Sequence, residues 1–285
     1  MKKYSLRYTI ILALCGFVVN CNQSKKAVET NEGADSGQLA AIQVAEAGVD
    51  DPPSITFKMK LWKEGIDFYA RGNEPFWAVD IDLENGMKFT TMDGLTIETN
   101  SIEINKTQDA DIIRFSGGTD SNELIINIAE KTCSDTMSDE KFRYSVEADV
   151  KPEGESDYKT FKGCGQYVPD YSLQDIWVLV EANGEAIDSN RFPDKGSPTF
   201  EFFVEEGMVS GHAGCNNFNG GFYRVEKNVL HFEPFAMTRM MCQDMELENL
   251  IEKSVAGKRL KYEIKDLKLT LSGYDNTILV FRKID

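Results

Sequence analysis

Val79-Asp80-Ile81-Asp82-Leu83-Glu84-Asn85-Gly86 decides the fold class. Val79, Ile81 and Leu83 alternate with Asp80, Asp82 and Glu84, so one face is apolar and the other wet, the period of a half-buried strand. Asn85-Gly86 then supplies two residues that tolerate positive φ, the pair suited to a type I′ hairpin. Met87–Thr91 returns, Asp93-Gly94 turns and Leu95–Thr99 continues the meander. Further strands are predicted at Ile112–Phe115, Leu124–Ala129, Phe142–Val150 and Tyr158–Phe161, with Ser116-Gly117-Gly118 as a turn and no helix between Phe57 and Val168. Short strands at this spacing build a small antiparallel barrel or sandwich. The acids Asp80, Asp82 and Glu84 are not a calcium loop, because Asn85 and Thr91 stand where that loop needs Gly and Glu.

From about Pro169 the β pattern resumes at Ile176–Val180, Thr199–Val204, Met208–His212, Val229–Phe232, Leu260–Ile264, Leu267–Leu271 and Ile278–Arg282. One helix interrupts it. Asp244, Glu246 and Glu248 suit the positive end of a helix dipole. Leu247, Leu250, Ile251 and Val255 keep helical spacing, and Gly257 stands where a glycine ends a helix. The expected class is mainly β: two small antiparallel barrel or sandwich domains, the second with one packed α-helix.

The N-terminal end gives an address. Lys2, Lys3 and Arg7 precede the mostly apolar run Tyr8–Val19, a secretory signal too short to span a bilayer. Cys21 at the cut site makes residues 1–20 a bacterial lipoprotein signal peptide and Cys21 the lipidated N-terminus, although Asn20 departs from the usual small residue before the cysteine. Residues 21–56 are small, polar and acidic, a tether with too little apolar surface to fold. Residues 57–168 and 169–285 are the two expected domains. The expected location is the bacterial cell envelope, membrane-anchored through the lipid.

The chain has 31 Lys+Arg against 47 Asp+Glu, a net charge of −16. Loss of residues 1–20 removes three basic residues and no acid, deepening it to about −19. That surplus excludes nucleic acid, whose binding needs cationic side chains on phosphates, and suits a cationic protein or peptide as partner. With Cys15 in the signal and Cys21 lipidated, four cysteines remain. Cys133 with Cys164 and Cys215 with Cys242, one disulfide in each domain, is the simplest pairing in an oxidising compartment.

Two sets of motifs carry resemblances. His212-Ala213-Gly214-Cys215-Asn216-Asn217-Phe218-Asn219-Gly220-Gly221-Phe222-Tyr223 and Met237-Thr238-Arg239-Met240-Met241-Cys242, with the early Trp177, closely resemble the META domain family of HslJ-like lipoproteins over about residues 170–285. The resemblance implies an envelope protein linked to heat or antibiotic stress, with no agreed catalytic mechanism. In the first half, Arg71-Gly72-Asn73-Glu74-Pro75-Phe76-Trp77, Cys133-Ser134-Asp135-Thr136-Met137-Ser138-Asp139 and Gly163-Cys164-Gly165 resemble an uncharacterised envelope-lipoprotein domain that implies no activity. Arg71, Glu74 and Trp77 are a candidate binding patch. Phe76 or Trp77 plugging the barrel end is the architectural alternative. Glu74 before Pro75 reads as extended backbone.

Met237, Met240, Met241 and Met245 around Cys242 invite Cu(I), which thioethers and thiolates select. Their spacing also suits a buried helical or turn face, and a Cys242 held in a disulfide is no ligand. No metal or cofactor is therefore expected. G-x-S-x-G, P-loop, H-E-x-x-H and G-x-G-x-x-G strings are missing, and two histidines offer few general bases. The reading is a lipid-anchored, non-catalytic stress-response or binding module. Its alternatives are an inhibitor or sequestering protein for a basic partner and an envelope copper-handling protein.

Overall fold

A computed structural model describes residues 53–106, 112–119, 121–135, 137–138, 140–193 and 195–284. The signal segment, Cys21 and the tether up to residue 52 lie outside the described residues.

The chain opens with helix α1 (Pro53–Lys63), which the sequence reading missed. Proline suits a first helical position, and Lys60 and Lys63 face the negative end of the dipole. Nine strands follow: β1 (Phe68–Asn73), β2 (Phe76–Asp82), β3 (Gly86–Thr91), β4 (Thr96–Thr99), β5 (Glu103–Lys106), β6 (Ile112–Gly118), β7 (Glu123–Ser134), β8 (Lys141–Lys151) and β9 (Lys159–Tyr167). They form one antiparallel sheet in the order β4-β3-β2-β1-β9-β8-β7-β6-β5, curled into a half-barrel. Its inner face is filled by Phe68, Val79, Ile81, Phe89, Phe115, Ile126 and their neighbours. On the outer face α1 lays Leu61 against Tyr69, Phe142, Cys164 and Val168.

Two turns fall elsewhere than predicted. Ser116, Gly117 and Gly118 are strand, paired with Ile125, Leu124 and Glu123; a side chain at Gly117 would meet the Ser101 carbonyl, so glycine there serves close approach. Strand β2 stops at Asp82, and Leu83-Glu84-Asn85 forms the loop. The Asp82 carboxylate accepts from the Glu84 and Asn85 N–H groups, and only Gly86 takes positive φ, at 138°.

The second half comprises β10 (Asp175–Ala182), β11 (Glu185–Ala186), β12 (Thr199–Phe203), β13 (Met208–His212), β14 (Asn217–Glu226), β15 (Val229–Phe232), β16 (Ala236–Met237), α2 (Glu246–Ser254), β17 (Arg259–Lys265), β18 (Lys268–Gly273) and β19 (Ile278–Lys283). The order β10-β12-β13-β14-β15-β17-β18-β19, with β19 pairing back to β10, closes an eight-strand barrel. Closure removes the edges that open sheets expose. Trp177, Phe200, Phe202, Phe232 and Phe281 fill it, and α2 adds Leu247, Ile251 and Val255 to the same core. The predicted helix is thus present, with Gly257 beyond its end at φ 70°. Mainly β is the observed class.

The two sheets meet through polar groups. Arg224 on β14 donates to Asp67 at 2.8 Å, to the Val168 carbonyl at 2.6 Å and to the Lys227 carbonyl at 2.8 Å. The Arg224 and Asp67 side chains are only 6% and 8% exposed. Tyr262 donates to Asp170 at 2.7 Å, and Trp62 of α1 donates to the other oxygen of the same carboxylate at 3.2 Å.

Candidate functional site

The structure separates the residues of the proposed Arg71, Glu74 and Trp77 patch. Trp77 is buried on the inner face, stacked on Phe89 at 5.7 Å, and its indole N–H donates to the Lys162 carbonyl at 3.1 Å. Gly72 and Gly163 make room for it. A Cβ on Gly72 would fall on the indole and within 2.7 Å of the Lys162 carbonyl, and one on Gly163 would lie 2.9 Å from the ring. Trp77 therefore packs into the inner-face core of the half-barrel. Phe76, in contrast, is exposed beside Met92.

Arg71 points to the outer face. It donates to the Ala70 and Val79 carbonyls at 2.8 and 2.9 Å and pairs with Asp80 at 2.6 Å. Its guanidinium also sits over the Phe57 and Tyr69 rings, at 5.5 and 5.4 Å. Burial pushes the Tyr69 phenol up to about 12. Glu74 and Pro75 form the two-residue β1–β2 loop through a cis bond. Arg71 and Glu74 do share a groove of about 810 Å³ with Asn73, Asp135 and the Cys133–Cys164 disulfide. Asn73 donates to Asp135 at 2.6 Å, which ties the two loops at its rim.

In the second half the motif residues hold one another. Cys215 and Cys242 are disulfide-bonded. Buried Asn216 donates its backbone N–H and its amide to the two oxygens of Glu248, at 2.7 and 2.8 Å. Its Oδ1 accepts from the Met240 N–H at 2.7 Å and the Thr238 hydroxyl at 2.8 Å. Glu248 is 3% exposed in the first turn of α2, where the dipole favours its charge. The strings 212–217 and 237–242 are thus one stitched joint between loop, strand and helix. The spacing of the motifs pointed to the joint, whereas the Glu248 carboxylate at its centre was legible only as a helix-start acid.

The methionines form no buried face. Met241 is 99% and Met240 49% exposed, on a loop before α2, because Asn216 holds the Met240 backbone and turns the side chains outward. Met237 lies on β16 and Met245 precedes α2. Among the described residues no three His, Cys, Asp or Glu side chains are grouped to hold a metal ion.

A second recess, of about 480 Å³, lies where the start of β8 and the end of β9 face the β12–β13 turn and β14. Tyr144 and Tyr167 line it, pinned edge-on to each other and to Phe68 at 5.2–5.8 Å. Burial pushes both phenols well above their ordinary value. Arg143 lies 3.1 Å above the Tyr223 ring centroid and 3.8 Å from Glu233. Behind Tyr223 stands His231, whose pKa burial and then Arg259 push down. Nothing in the sequence patterning singled out Tyr144, Tyr167 or Arg224, because each occupies an ordinary strand position.

Residues 155–285 match the META domain. No curated protein matches the chain. Two solved structures are similar over part of it. One NMR structure shares 28% identity over 39% of this chain and 90% of its own, with a TM-score of 0.32. An NMR structure of a protein from Burkholderia xenovorans shares 20% over 40% of this chain and 84% of its own, with a TM-score of 0.33.

Proposed function

We propose, from the META domain at residues 155–285, that the protein is a lipid-anchored, non-catalytic binding module of the bacterial cell envelope that serves in the stress response. META domains fit an envelope protein of unclear function. The observation that carries the reading is how the motif residues are engaged: Asn216, Glu248, Cys215 and Cys242 brace one joint, while Gly72, Gly163 and Trp77 pack a core. Residues so engaged stabilise a scaffold. Both cystines suit an oxidising compartment. No helix among the described residues is long and apolar enough to cross a membrane. The signal segment followed by Cys21 supports attachment through a lipid.

Metabolic labelling with palmitate tests the anchor. Label and membrane fractionation should both be lost in Cys21→Ala, and an unchanged fractionation would overturn the address.

A further inference from the structure

The recess between the two sheets has walls of opposite charge. Lys58 on α1 with Lys141 and Arg143 on β8 form one side; Glu205 and Glu206 in the β12–β13 turn, with Glu233, form the other. Only loose pairs span it, Lys58 to Glu205 at 3.9 Å and Arg143 to Glu233 at 3.8 Å. At its base Tyr144 and Tyr167 line the recess and are 3% and 7% exposed. The ring contacts with Phe68 fix where both hydroxyls lie.

We infer that this recess binds a small zwitterion, a short peptide with a free ammonium and a free carboxylate. Its ammonium faces the acidic wall, its carboxylate faces Lys141 and Arg143, and its backbone amides meet the two tyrosine hydroxyls. A simple anion would meet the carboxylates of Asp170, Glu205, Glu206 and Glu233, and a simple cation would meet Lys58, Lys141, Arg143 and Arg224. A ligand with both charges replaces the long cross-cleft pairs with shorter ones on each side. The volume of about 480 Å³ falls in the range of small-ligand sites and admits two or three small residues. Both phenols stay protonated at neutral pH, so they remain available as donors. This inference stands apart from the anchoring proposal, which its test does not touch.

Calorimetric titration of the purified full-length chain with trialanine, N-acetyl-trialanine and trialanine amide tests it. Trialanine should saturate in the range of about 1 mM or below, and each blocked peptide should bind at least about tenfold more weakly. Tyr144→Phe with Tyr167→Phe, which keeps both rings, should weaken trialanine by about tenfold with melting unchanged. Arg143→Gln should weaken trialanine and leave trialanine amide unaffected. No saturation by trialanine would overturn the site. Equal affinity for the blocked peptides would overturn the zwitterion, and full affinity in the double tyrosine variant would overturn the placement.

Discussion

The chain has two histidines, and burial lowers the pKa of both. His212 is held down by desolvation and then by Lys195; His231 by desolvation and then by Arg259. Each has a buried Nδ1 without a partner among the described residues. A folded-state pKa below the unfolded value of about 6.5 means that the unfolded chain takes up protons first as pH falls. The stability these neutral rings allow is present above about pH 6.5 and is lost as pH falls through their folded values. Asp82, Asp135, Asp175 and Asp244, all lowered, act in a separate window below about pH 4. The melting temperature should therefore fall between about pH 7 and about pH 5, and His212→Gln with His231→Gln should flatten that slope. Melts across this range check it, and an equally steep slope in the double variant would assign the effect to other groups. At this scale the sequence showed which residues matter better than it showed how. Gly72, Trp77 and Gly163 stood out as motif positions, but only the fold shows two glycines admitting one indole. Arg71 lies on the opposite face because adjacent strand residues alternate sides.

Elements were legible where periodicity and environment agreed. Val79 and Ile81 are buried and α2 keeps its apolar stripe, so both were readable. Helix α1 misled because Phe57, Met59 and Leu61 alternate with Lys58 and Lys60, a strand pattern, while the helix buries Leu61 against the outer sheet face. Local period loses there to tertiary packing. The β17–β18 hairpin misled in another way. Its two-residue turn is Asp266-Leu267, with φ of 52° and 59°, so the predicted strand start at Leu267 is a turn residue 61% exposed to solvent. A leucine in left-handed backbone is strained by about 1–2 kcal/mol. Asp266→Asn with Leu267→Gly supplies the residues this turn favours and removes no buried contact. Allowing for the entropy of the added glycine, stability should rise by about 0.5–1 kcal/mol in urea unfolding. A loss would show that Leu267 contributes packing its exposure conceals.

At the scale of the molecule, the cystines and the ion pairs make opposite demands on how the halves behave. Cys133–Cys164 and Cys215–Cys242 each staple one sheet, and by that logic either half could unfold alone. Arg224 and Asp67 argue otherwise. Both are nearly buried, Asp67 lies just before β1 and Arg224 on β14, and Arg224 also holds the Val168 carbonyl where the chain leaves the half-barrel. Opening one half breaks this pair and the Arg224–Val168 bond, so each half loses stabilising contacts when the other opens. Arg259–Glu130 at 2.8 Å and Lys106–Glu226 at 2.7 Å bridge the same junction at the surface, where such pairs contribute little. The joint therefore rests on the buried pair together with the hydrogen bonds that Asp170 accepts from Tyr262 and Trp62, which a reading of each half by itself could not find. Cys215→Ala with Cys242→Ala relaxes a loop of 27 residues and should lower stability by about 2–5 kcal/mol. Through Arg224 and Asp67 that loss passes to both sheets, so calorimetry should show one transition moved to lower temperature. In Asp67→Asn with the same cysteine changes, the junction is weakened and the transition should split. Two transitions in the cysteine variant alone, the upper one at the unaltered temperature, would mean that the buried pair does not couple the sheets.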